Sequence, residues 1–322
     1  MAQPGEYYKV VDCVVYISSV ANVRKHIRKI QCLESFAEGV RATGDSVVVE
    51  WEHRYTPSRL AVMLGWATTN TGGQNIALRK QIIAEQRQHG KHTMCIDASC
   101  WKYLDEQGSY LRYSLGGPFY DRAEYDNRNS TGSKWLEISQ ALKVNLAPIQ
   151  NNSQGHVLIC MQRDGGFAMK SLNPMSWLQD KIKQIRNVTQ RPIHIRPHPG
   201  KYDMKDFDQY TGKFAAKQHI KLIDPVQSSL LDDLQNAHSA VFFNSSASVA
   251  AACAGVPVFV DDESCVSWAV ANKNISKIES PEHIERQQWI WDLASAHWSD
   301  QDARQGHIYQ KFLPYLTSTV TS

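Results

Sequence analysis

Hydrophobic positions along the chain alternate between short continuous runs and stretches of helical spacing. Residues 10–17 form a nearly continuous apolar run and predict a buried strand. Residues 22–42 carry Val23, Ile27, Ile30, Leu33, Phe36 and Val40 near helical spacing, and Gly44 supplies a stop. Strands are predicted at 47–49, 60–65 and 93–97, with a helix opened by Gly72 and Gly73 and running to about Gln88 between the last two. Residues 105–133 break the rhythm with glycines, Pro118 and polar residues, and read as a long loop. A helix is predicted at 134–144 and a linker at 148–155. Strands at 156–161, 192–196, 220–223, 240–243 and 257–260 then alternate with helices at 175–187, 228–236 and 246–254. Helices follow at 264–271, 281–297 and 300–312. Such alternation predicts α/β architecture, with parallel sheets covered on both faces. The halves are expected at 1–150 and 151–322, and ligands are expected at the carboxyl ends of their strands.

Composition narrows this little. Hydrophobic residues make up 42% of the 322, enough for two ordinary cores. No apolar run approaches the roughly 20 residues of a spanning helix. Residues 1–6 lack the basic-then-apolar order of a secretion signal, so a cytoplasmic protein is expected. Seven scattered cysteines without a CxxC pair predict reduced, buried thiols. The net charge of +3 lies wholly in residues 1–150, which hold 18 Lys+Arg against 15 Asp+Glu. That distribution permits a polyanionic acceptor in the first half.

Chemistry concentrates after predicted strands of the second half. Asn244, Ser245, Ser246 and Ser248 open a helix of small residues closed by Gly255 and Pro257. Hydroxyls beside unpaired backbone N–H groups make a phosphate seat, the simpler alternative being serine N-capping. Arg196-Pro197-His198-Pro199 and Lys201 place a backbone-fixed imidazole among cations, able to donate to a phosphate or protonate it as it leaves. Gln162, Arg163 and Asp164, followed by Gly165 and Gly166, can reach a phosphate or sugar, although a plain turn reads equally well. His194 reads as a packing residue.

This order of motifs resembles bacterial sialyltransferases, polysialyltransferases and capsule-type Kdo transferases over about residues 156–270. The match comprises Gln162 and Asp164, Arg196 to Pro199, Ser245 to Ser248, and Gly255 to Val258. The resemblance implies a GT-B fold, with two Rossmann-like domains facing across a cleft. It also implies a CMP-sugar donor whose phosphate is held by the histidine and serines without a metal. The stretches Met161–Gly166, Arg196–Lys201, Asp261–Trp268 and Asp292–Trp298 also look like glycosyltransferases of tailed phages. That group includes enzymes placing a sugar, notably arabinose, on 5-hydroxymethylcytosine in DNA.

Transfer to a hydroxyl needs a base in the first half. Asp97 ends a strand and is the leading candidate, equally readable as a turn residue; Asp121, Glu50 and Glu52 follow. The segment 109–128 interleaves Tyr110, Tyr113, Phe119, Tyr120 and Tyr125 with Arg112, Arg122 and Arg128. Such interleaving suits base stacking and phosphate contacts, the alternative being a mixed solvent loop. No HExxH or similar spacing occurs, Asp261-Asp262-Glu263 reads as a turn or ribose contact, and no metal site is expected. GxGxxG and P-loop patterns are absent. The expectation is a nucleotide-sugar-dependent glycosyltransferase, with catalytic Asp97 and His198 and a hydroxymethylated double-stranded DNA acceptor. A UDP-sugar donor remains open. The alternatives are a cell-surface polysaccharide Kdo- or sialyl-type transferase and a non-catalytic nucleotide- or DNA-binding module.

Overall fold

The computed structural model describes residues 11–20, 27–67, 73–105, 107–119, 123–163, 167–170, 172–199, 207–208 and 219–317. In the first half these form β1 (Val11–Tyr16), α1 (Ile27–Ala42), β2 (Val47–Glu50), β3 (Ser58–Leu64), α2 (Gln74–Gln88), β4 (His92–Ala98), β5 (Tyr110–Leu115) and α3 (Ser133–Leu142). The second half continues with β6 (His156–Cys160), α4 (Pro174–Arg186), β7 (Ile193–Arg196), β8 (Ile220–Leu222), α5 (Leu230–Leu234), β9 (Ala237–Phe242), α6 (Ala247–Cys253) and β10 (Val258–Val260). It closes with α7 (Gln287–Ser295), β11 (His297–Ser299), α8 (Asp300–Arg304) and α9 (His307–Leu316).

Two sheets result among the described residues. The second has the order β8-β7-β6-β9-β10 and is parallel throughout. The order in which the chain adds strands reverses between β6 and β9, which is where open α/β sheets leave a crevice for ligands. The first has the order β2-β1-β3-β4-β5-β11, with β1 to β4 parallel and β5 antiparallel to both neighbours. Each sheet is buried on both faces, which is why its parallel strands read as continuous apolar runs. Cys13 and Val15 face the core under α1 and α9, whereas Val14 and Tyr16 face Leu78 and Ile82 of α2. In β6, Val157 and Ile159 pack against Leu178 and Ile182 of α4, and Leu158 and Cys160 against the opposite layer.

The strand β5 corrects the expected loop at 105–133. Tyr110, Arg112 and Ser114 point to one face and Leu111, Tyr113 and Leu115 to the other, a strand period hidden by the surrounding glycines. The helix expected at 281–297 ends at Ser295, and His297 begins β11. It pairs with β5 in the first sheet, with His297 opposite Arg112. The two last helices then pack on the first half, where Ala303, Ile308 and Phe312 share a core with Phe36 and Val40. Lys134 and Lys311 lie 4.9 and 5.0 Å from the Trp298 ring and hold β11 between α3 and α9. Residues 143–155 carry the chain from the first layer to the second, and β11 brings it back. Trp101 and Ile138 of the first half share a core with Leu158, Val249 and Leu293 of the second.

Candidate functional site

The loops that leave β6 and β9 on either side of the reversal are tied to each other. Gln162 donates from Nε2 to Asn244 Oδ1 at 2.6 Å and accepts the Asn244 backbone N–H at 3.0 Å. The Asn244 amide donates to the Ala168 carbonyl and to Ser264 Oγ, both at 2.9 Å, so three loop ends are fixed around one buried side chain. Gln162 therefore positions the loop. Arg163, the next residue, is exposed above it.

The serine cluster divides. Ser245 is half-buried and its hydroxyl accepts the Ala247 N–H at 3.2 Å, while Ser246 is exposed and its side chain makes no capping bond. Ser248 is 0% exposed, donates to Ser267 Oγ at 2.8 Å and lies 3.4 Å from Cys265 Sγ. It packs the helix onto the 264–267 turn, and its expected phosphate contact is corrected. Ser245 and Ser246 remain at the mouth of the crevice.

Arg196 is also corrected. Its side chain is turned into the protein, where it pairs with the buried Asp233 and donates to the Ser228 carbonyl at 3.0 Å. A guanidinium so committed braces α5 against β7. Beyond it, Pro197 is buried and His198 half-buried. Burial pushes the His198 imidazole below the ordinary histidine value, and the positive charges of Arg163 and Lys102 push it the same way. Asp164 and Lys201 lie outside the described residues.

Lys102 belongs to the first half, so the turn after β4 and the turn after β7 face each other. A cleft of about 560 Å³ opens beside them, lined by Leu64, Asp97, Ala98, Ser99, Lys102, Asp105 and the first described turn of α1. Asp97 is held in place: Oδ2 accepts Arg112 Nη2 at 2.9 Å and Oδ1 accepts the Ala98 N–H at 2.8 Å. Its side chain is still 39% exposed. Asp105 accepts the Ser109 and Tyr110 N–H groups at 2.8 and 3.0 Å and so shapes the wall. Glu50 is buried and takes Arg54, Thr56 and the Glu52 N–H, which makes it a turn brace and not a base.

The expected acceptor surface at 109–128 is corrected in its main members. Tyr113 is 0% exposed in the core beneath α1. Arg112 is buried between Asp97 and Tyr125, its guanidinium 5.8 Å from the Tyr125 ring centre. Both sit on an interior strand, so neither can stack on a base or touch a phosphate outside. Arg128 is exposed and pairs with Glu124 at 3.2 Å. Tyr120, Arg122 and Asp121 lie outside the described residues. Sequence reasoning missed Lys29 and Lys102. The available signals were the basic run Arg24 to Lys29 at a helix start, and a lysine five residues beyond Asp97 in the same turn.

Asp261 accepts Trp177 Nε1 at 2.6 Å and pairs with Lys181 at 2.8 Å, and Asp262 pairs with Lys170 at 2.9 Å. Among the described residues no group of three His, Cys, Asp or Glu is placed to hold a metal ion. None of the helices among them is long and apolar enough to cross a membrane.

No protein-family model and no curated protein sequence matches the chain. Among solved structures it is similar to KpsC of Thermosulfurimonas dismutans, a β-Kdo 2,4 transferase, with 13% identity, 88% of this chain and 90% of that one covered, and a TM-score of 0.53. The β-Kdo 2,7 transferase KpsC of the same organism gives 11% identity, 94% and 99% coverage, and a TM-score of 0.53. At such identities the likeness is one of fold. With one parallel and one largely parallel sheet it makes the architecture GT-B, two Rossmann-like domains facing across a cleft.

Proposed function

We propose that the protein is a glycosyltransferase that moves a sugar from a nucleotide-sugar to the hydroxyl of a saccharide acceptor. The observation carrying this reading is the convergence of two unlike sites. His198, Arg163, Ser245 and Ser246 border the strand-order reversal of the second sheet, opposite a cleft that presents the oriented carboxylate Asp97. The first set suits a leaving phosphate and the second a proton acceptor. Asp97 takes the proton of the acceptor hydroxyl as its oxygen bonds to the anomeric carbon. The bond from that carbon to the phosphate oxygen breaks, its electron pair leaves with the phosphate, and His198 donates to the departing oxygen. Arg163 supplies cationic stabilisation and His198 a hydrogen bond, so the reading includes no metal requirement. CMP-sugars are the favoured donor class.

Two observations favour a polysaccharide acceptor over hydroxymethylated DNA: the fold likeness to Kdo transferases, and the interior placement of Arg112, Tyr113 and Tyr125. The test offers CMP- and UDP-sugars with either an oligosaccharide or a hydroxymethylated duplex, and weighs the products. A modified nucleoside would reinstate the DNA acceptor. Asp97→Asn should lower kcat by roughly 100-fold or more, the scale of a lost general base. Full turnover by that variant would remove Asp97 from the chemistry, and absence of transfer with every pair would leave a binding module.

A further inference from the structure

The turn after β4 is unusually well anchored for one that borders a cleft. Trp101 is 0% exposed within the core shared by both domains, 5.9 Å from Trp135 and 4.7 Å from His297 between ring centres. The Cys100 N–H donates to His297 Nε2 at 3.1 Å, and the Leu104 and Asp105 N–H groups return to the Trp101 carbonyl at 2.8 and 3.1 Å. Lys102 projects from this fixed turn into the cleft.

Most other charges around the cleft are already matched. Arg28 pairs with Asp300 and donates to the Gly108 carbonyl, Asp97 is paired with Arg112, and Asp105 is bonded to backbone N–H groups. Among the described residues, Lys29, Lys102 and Arg163 have no carboxylate paired with them. Lys29 and Lys102 line the same cleft, and Lys102 and Arg163 both lie close enough to His198 to act on it. Lys29 is held below the usual lysine value by partial desolvation at the cleft wall, then by Lys102 and Arg79, and Lys102 acts in turn on His198. Uncompensated like charges gathered in a concave site cost stability unless an anion joins them.

We infer that Lys102 and Lys29 are the first domain's half of the phosphate site, closing with Arg163 and His198 around the phosphate of a nucleotide donor. This rests on the donor reading above and assigns to it two residues outside the second domain. The ligand chemistry is a nucleoside phosphate, and the nucleoside moiety remains with the second domain.

Both lysines are exposed, so Lys102→Gln and Lys29→Gln are expected to fold. Calorimetric titration with CMP, UMP and cytidine separates the contributions. Lys102→Gln should weaken CMP binding about 10- to 100-fold, the range for a lost hydrogen bond to a charged group. Lys29→Gln should weaken it less, Lys102→Arg should retain most of it, and cytidine should bind every variant alike. Equal CMP affinity in wild type and both glutamine variants overturns the inference while leaving the donor site of the second domain standing. An equal loss for cytidine also overturns it, since no phosphate contact would then be involved. If wild type binds none of these nucleotides, nor UDP, the donor reading itself falls and this inference falls with it.

Discussion

His297 ties the returning strand to the turn below Lys102, and its ionisation gives that tie a pH dependence. The ring is fully buried, with Nδ1 donating to the Leu293 carbonyl at 2.8 Å and Nε2 accepting the Cys100 N–H at 3.1 Å. The Nε2 bond requires the neutral ring, because a protonated nitrogen cannot accept the Cys100 N–H. Burial, then the charge of Arg112, lowers its pKa from 6.5 to about 3. A depressed histidine contributes its stabilisation fully above the unfolded value, and the contribution is lost as pH falls from there towards the folded one. Between those limits the unfolded chain binds one more proton, so stability drops by about 1.4 kcal/mol per pH unit. From pH 7 to pH 4.5 the loss is roughly 2–3 kcal/mol. His297→Asn does not titrate, keeps a donor for Leu293 and leaves the Cys100 N–H without its acceptor, which costs about 1–3 kcal/mol at neutral pH. Urea unfolding of both proteins at pH 7, 6, 5 and 4.5 reads the difference, in which the acid titration of the carboxylates cancels. The variant should be the weaker at pH 7, and the gap should close or reverse by pH 4.5. A gap constant with pH would mean that His297 is not held neutral and would refute the reasoning.

Other substitutions probe the scaffold and the donor loops. Gly39→Ala would normally favour a helix, yet here its methyl would lie 1.9 Å from the Ala303 carbonyl oxygen. It should destabilise by about 1–3 kcal/mol or more through overpacking of α1 on α8, read as a lower melting temperature. Arg196→Gln strands the buried Asp233 carboxylate and should cost about 3–5 kcal/mol of folding stability, measured by denaturant, with CMP affinity in the surviving native protein little changed. Ser245→Ala with Ser246→Ala should weaken CMP binding by about 1–3 kcal/mol in calorimetry, whereas Ser248→Ala should leave affinity unaltered and lower the melting temperature.

The parallel strands were legible because burial on both faces leaves a short apolar run and little else, as in Val157 to Cys160. The crevice of the second sheet was legible for a related reason: its chemistry sits in local runs, His198 after β7 and the serines after β9. Whether a polar side chain in such a run faces ligand or protein depends on partners remote in sequence, and that part was hidden. Arg196 meets Asp233, Ser248 meets Ser267, and Gln162 meets Asn244. The segment Tyr110 to Leu115 looked like a solvated aromatic loop because β11, which covers one of its edges, lies almost two hundred residues away. The cationic cleft was illegible for the same reason, Lys29 and Lys102 being brought together by strand order alone.

The return of the chain through β11 sets an order of events during synthesis. Domains generally fold as units while the chain emerges, the N-terminal one first. Here the first sheet cannot cover the outer edge of β5, or the α1 face that receives Ala303 and Phe312, until residues 297–316 are made. The second sheet needs no later strand, so it can assemble while the first still shows an open edge. A nascent chain halted near residue 296 should therefore hold a protease-resistant second domain and an incomplete first one, whose unpaired β5 edge calls for protection by a chaperone or for rapid completion of synthesis.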